Sequence, residues 1–114
     1  QIYVGAVGVY NLQFSLQLEN SDSQLQDVDI WLSKNGVNEA NSNTLISVPN
    51  KHGAVNGHGV AAWNFYLEYT ALTDYFELYW STSSTSVSIP NYAAAAPAPA
   101  TPSVILTMHF VSRL

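Results

Sequence analysis

The chain contains no cysteine, which excludes disulfides and thiolate metal sites and leaves no redox compartment to read. Charge is almost as scarce. Charged residues make up 10% of the 114, so Asn, Gln, Ser and Thr must carry the contact with water. Three Lys or Arg stand against eight Asp or Glu, a net charge of −5. Nucleic-acid binding needs basic clusters to neutralise phosphates, so no nucleic-acid partner is expected. The same deficit removes the usual electrostatic route to an anionic membrane, and no apolar run approaches the roughly 20 residues of a helical span. Helical periodicity is missing as well. The nearest helix-former, Ala93 to Ala96, runs into prolines at 97, 99 and 102, each lacking a backbone donor, so an extended loop is expected there.

What the chain has in quantity is apolar and aromatic sequence, 47% and 12%, enough for one folded domain, residues 1–114, with a single modest core. Its pattern is period-2 alternation, the signature of half-buried strands. In "YNLQFSLQLE", Tyr10, Leu12, Phe14, Leu16 and Leu18 share one face and the polar residues the other. "DVDIWLSKNG" places Val28, Ile30 and Leu32 inward and Asp27, Asp29 and Trp31 outward, then reaches Asn35-Gly36, a pair suited to the positive φ angles of a tight turn. "AAWNFYLEY" puts Trp63, Phe65, Leu67 and Tyr69 on one side; "DYFELYW" does so with Phe76, Leu78 and Trp80. The closing "SVILTMHFV" offers Val104, Leu106, Met108 and Phe110 to the core, while Leu45 to Val48, Ser86 to Ile89 and "QIYV" are shorter candidates. Seven or eight such strands with polar turns predict an all-β, antiparallel β-sandwich.

Catalytic signals are weak. No serine sits in a Gly-x-Ser-x-Gly elbow, and without cysteine the thiol route is closed. Asp27 and Asp29 on one strand face would stand about 7 Å apart, but exposed carboxylates at that spacing usually serve solvation. His52 and His58, in "VPNKHGAVNGHG", lack zinc-site spacing. No catalytic residue, metal or cofactor is expected, and Asn50, Lys51, His52 and His58 are read as an exposed partner-binding loop over 48–59. Outward aromatics say more. With Phe76, Leu78 and Trp80 inward, Tyr75 and Tyr79 face out. Cover by a loop or a neighbouring strand would account for them, but a protein–protein interface, where Tyr and Trp are enriched, is the preferred reading.

The order of these segments resembles the C1q/TNF-like jelly roll. "GVYNLQFSLQL" is similar to that family's Gly-x-Tyr-x-Phe strand, with Gly8, Tyr10 and, displaced by two, Phe14. "DIWLSKNG" resembles its strand ending in Lys-Asn-Gly, and "AAWNFYLEYTALTDYFELYW" its apolar strand followed by Leu-x-x-Gly-Asp. Thr73 stands where the family usually has Gly before Asp74, so the turn there must avoid positive φ. More narrowly, "QDVDIWLSKNG", "VPNKHG", "VAAWNF", "ELYWSTS" and "ATPSVILT" resemble virion structural proteins of bacteriophages, notably cyanophages.

The resemblance implies a non-enzymatic virion protein on the phage particle surface, a trimeric knob serving as capsid decoration or tail-fibre tip beside other virion proteins. It places the closing strand and the Tyr75–Trp80 strand in one sheet near the three-fold axis, so that Tyr75, Tyr79, Ile105, Thr107 and His109 form the homotrimer interface. A host-receptor or glycan-binding module acting through the 48–59 and 81–88 loops is the alternative. The family's first strands are missing ahead of "QIYVGAVGVY", and the chain opens at Gln1 without Met. The jelly roll is therefore expected to lack or borrow those strands, as the C-terminal part of a longer protein.

Overall fold

The computed structural model describes all of residues 1–114. It contains eight strands and no helix: β1 (Gly8–Asn20), β2 (Gln26–Lys34), β3 (Val37–Asn38), β4 (Thr44–Val48), β5 (Gly57–Tyr69), β6 (Phe76–Thr82), β7 (Val87–Ser88) and β8 (Val104–Ser112). They form two antiparallel sheets laid face to face, a β-sandwich. In the first, β1 is central. β5 pairs along its whole length, from Gly8↔Tyr69 to Asn20↔Gly57, while β8 and β7 share the opposite edge. In the second, β2 is central, with β6 on one edge and β4 and β3 sharing the other.

Strand parity decides what fills the space between the sheets. Leu12, Phe14, Leu16 and Leu18 of β1 are buried against Val28, Ile30 and Leu32 of β2. Val48, Ala61, Leu67, Tyr69, Phe76 and Val87 complete the core. Each large apolar side chain withdrawn in this way contributes about 1.5–3 kcal/mol. Asn20 ends β1 inside the core with its amide satisfied: Nδ2 donates to the Gln24 and Val48 carbonyls, and Oδ1 accepts from the Asp22 N–H. Asn35 and Gly36 take φ of 52° and 83°, making the tight hairpin between β2 and β3. Thr73, ahead of Asp74, is not among the positive-φ residues, as suits a residue that carries a Cβ.

The structure corrects several local expectations. "QIYV" forms no strand, and only Ile2 is bridged, to Phe76. Of Ser86 to Ile89 only Val87–Ser88 is strand. The alanine–proline stretch folds back on itself through bridges Tyr92↔Thr101 and Ala95↔Ala98. Trp63 and Trp80 have core parity but are exposed, as are Val104, Leu106 and Phe110 of β8; Met108 alone on that face is half-buried. Register does point these β8 residues toward the core side, opposite Leu16, Phe14 and Tyr10. For the β6 and β8 residues the physical reason is that β8 packs on β1 and β6 on β2, with no strand beyond either to close the sandwich between them; Trp63 lies on β5, at the other edge of the β1 sheet.

Candidate functional site

The five residues expected to share one interface lie on two opposite faces. β6 belongs to the sheet of β2, and β8 to the sheet of β1. Tyr75 and Tyr79 therefore look out from one side of the sandwich, and Ile105, Thr107 and His109 from the other. Placing both strands in one sheet was the error: alternation says which side chains point outward, but not which sheet a strand joins.

The outer face of the β2 sheet is acidic. The Tyr79 ring stacks on Trp31 at 5.8 Å and 16°, and Tyr75 lies 5.6 Å from Tyr3. Asp27, Asp29 and Glu77 share the face. Ser47 Oγ donates to Asp27 at 2.6 Å, and Asn43 Nδ2 to Asp29 at 2.9 Å. The Glu77 carboxylate, aided by partial desolvation, pushes the Tyr79 hydroxyl above its ordinary pKa. Bringing copies of this face together would crowd carboxylates.

The outer face of the β1 sheet is different. Three consecutive rungs cross it: Tyr66–Asn11–His109, Asn64–Gln13–Thr107 and Ala62–Ser15–Ile105. None of the nine carries a carboxylate, Lys or Arg. Asn11 Nδ2 donates to Asn64 Oδ1 and, at 3.2 Å, to the Phe65 carbonyl, while Gln13 Nε2 donates to Asn11 Oδ1 at 3.2 Å. Tyr66 is 72% exposed and Ile105 53%. Charges enter only toward the ends, at Glu68 and at Glu19 with His58. Of the residues on this face the sequence reading singled out Ile105, Thr107 and His109, but not Tyr66, Asn64, Asn11 or Gln13. The alternation of "AAWNFYLEY" carried the signal for Tyr66, a large aromatic at an outward position.

At one end of the sandwich three loops meet: the Lys51 N–H donates to the Asp22 carbonyl, and the Ser21 N–H to the Ser86 carbonyl. Asn50, Lys51 and His52 are on this surface, with His52 and Val55 paired reciprocally through backbone bonds across a turn. The loop is shorter than expected, residues 49–56, because His58 already belongs to β5. There His58 Nε2 is 4.0 Å from Glu19 Oε1, and Nδ1 lies 3.3 Å from the Tyr92 hydroxyl. No three His, Cys, Asp or Glu side chains are grouped to hold a metal ion.

No protein-family model, curated protein or solved structure matches the chain.

At the opposite end, the buried Asp74 organises a turn. Oδ2 accepts from the Thr70 N–H and Oγ1 and the Ala71 N–H, and Oδ1 from Asn35 Nδ2; Lys34 Nζ stands 3.8 Å away. The bonds from Asn35, Ala71 and Thr70 hold its carboxyl well below the usual carboxylate range. A carboxylate saturated in this way fixes a corner between β5 and β6.

Proposed function

We propose that this domain is a non-enzymatic structural component of a phage virion, a jelly-roll knob that self-associates as a homotrimer. It stands at the particle surface, as capsid decoration or tail-fibre tip, among other virion proteins. The observation that carries the assembly is the three-rung outer face of the β1 sheet, free of carboxylates, Lys and Arg, with Tyr66 and Ile105 exposed on it. Such a face meets its own copies without carboxylate repulsion, and aromatic and amide groups suit a self-complementary contact. The virion assignment rests on strings such as "VPNKHG" and "ATPSVILT"; the three-fold arrangement rests on the jelly-roll resemblance.

Tyr75 and Tyr79 leave the interface in this reading, and Ile105, Thr107 and His109 stay in it. Light scattering tests it directly. Wild type runs as a trimer, Ile105→Asp as a monomer, and Tyr79→Asp, on the opposite face, as a trimer. A monomeric wild type, or a trimer that survives Ile105→Asp, overturns it. The converging loop end, with Lys51 and His52 exposed, favours a second role there, contact with a host surface glycan; a polysaccharide array read with wild type and a Lys51→Ala, His52→Ala double variant tests it.

A further inference from the structure

Between the free edges of β6 and β8 the sandwich is open. A groove of about 390 Å³ runs there, with Leu78, Trp80, Val104 and Leu106 on its walls and Ile2 at one end. Leu78 is half-buried, while Trp80, Val104 and Leu106 are side chains of core parity left exposed, which a folded domain rarely tolerates as a contiguous strip. The edges themselves are unpaired: β6 bonds β2 on one side, and on the other only Ile2 touches it.

Ile2 shows how the groove is filled. Its N–H donates to the Phe76 carbonyl at 2.8 Å, and its carbonyl accepts from the Phe76 N–H at 3.2 Å. That is one rung of an antiparallel ladder, with the Ile2 side chain on the inward side as Phe76 is. Alternation along an antiparallel strand turns the N–H and C=O groups of Leu78 and Trp80 to the same open edge as those of Phe76. The next rungs are therefore prepared and vacant. Gln1, one position before Ile2, falls opposite Glu77, and the vacant run starts at Leu78.

We propose that this groove accepts an extended strand from another polypeptide, antiparallel to β6, in register with Ile2, with apolar residues opposite Leu78 and Trp80. Among residues 1–114 no strand is free to serve. All eight are committed to the two sheets, and the 91–103 excursion is folded on itself. Glu77 on the rim and the net charge of −5 select a strand without acidic side chains. Main-chain bonds supply the affinity and the alternate apolar positions the specificity, the mode of strand addition to a sheet edge. This surface is separate from the three-rung face of the β1 sheet, so either can hold without the other.

Hydrogen exchange on the full chain tests it, with two synthetic peptides as probes. The first is Lys-Thr-Val-Thr-Ile-Thr-Val-Lys, in which apolar residues alternate. The second, Lys-Val-Ile-Val-Thr-Thr-Thr-Lys, has the same composition with the alternation removed. At peptide concentrations up to ~1 mM the alternating probe is expected to slow exchange of the Leu78 and Trp80 amides at least tenfold or so, leaving the already paired Tyr79 amide unchanged. The second probe slows neither, and Leu106→Asp, with its charge in the groove, abolishes the effect. No protection by the alternating peptide overturns the proposal, as does equal protection by both peptides. Protection without peptide that grows with protein concentration also overturns it, because the occupant is then a second copy of this chain.

Discussion

Asp74 and Tyr69 lie at the same end of the sandwich and set limits on stability at opposite ends of the pH scale. Asp74 is held as a carboxylate by Asn35, Ala71 and Thr70. An unfolded chain takes up this proton near 3.8, whereas the folded chain resists until the pH is lower. The stability so conferred is complete above 3.8 and is lost as the pH falls below that value toward the folded one. Tyr69 behaves in the mirror sense. Burial, helped by Tyr10 and Asp74, pushes its hydroxyl from 10.0 up to about 12, while the hydroxyl donates to the Ile2 carbonyl at 3.0 Å. Its contribution is complete below pH 10 and is lost as pH rises through about 12. Urea unfolding across pH is expected to show both declines. Asp74→Asn flattens the acid one and Tyr69→Phe the alkaline one, each with a lower plateau between. A variant profile parallel to wild type at its own end would refute that residue's role.

Connections between elements are as exacting as single side chains, and Gly57 shows it. It opens β5 directly beneath the turn out of β4, where a Cβ would stand 1.8 Å from the Pro49 carbonyl oxygen. Gly59, two residues on along the same strand, has nothing within 4 Å of that position. Gly57→Ala is therefore expected to cost about 1–3 kcal/mol through the forced shift, and Gly59→Ala to stay within about 0.5 kcal/mol of wild type; urea denaturation measures both. In the sequence these two glycines look alike, flanking a histidine in a loop-like string. Alternation made the inward faces of β1 and β2 legible, because a period of two fixes sidedness wherever one face is wet. It could not tell whether anything lies opposite a strand, so Val104, Leu106 and Trp80 were assigned to a core that stops short of them. Nor could it assign β6 and β8 to different sheets, because sheet membership depends on long-range pairing. The outward rungs were half legible for the same reason: Ile105 and Tyr66 could each be read as outward, but not as neighbours across β1.

The whole molecule is more open than its length requires. Its radius of gyration is 16.4 Å, against about 13 Å for a compact chain of this size. Its accessible surface is 6872 Å², where a folded monomer of 12.4 kDa would show about 6,100 Å². Only 19 of 114 residues are buried, a small core against a native margin of about 5–15 kcal/mol for an ordinary domain. Association is a route by which the surplus apolar surface leaves water without a change of fold, and it couples stability to concentration. Anything that binds the folded state alone raises the melting temperature with its own concentration; for a self-associating domain that ligand is the domain. Melting followed by circular dichroism at serial dilutions is expected to show wild type falling in Tm as the protein is diluted. Ile105→Asp, cut off from its copies, should melt lower and at one temperature throughout. A wild-type Tm independent of dilution across the range where light scattering reports dissociation would mean that the open sandwich holds itself together, and that its exposed strips serve partners other than itself.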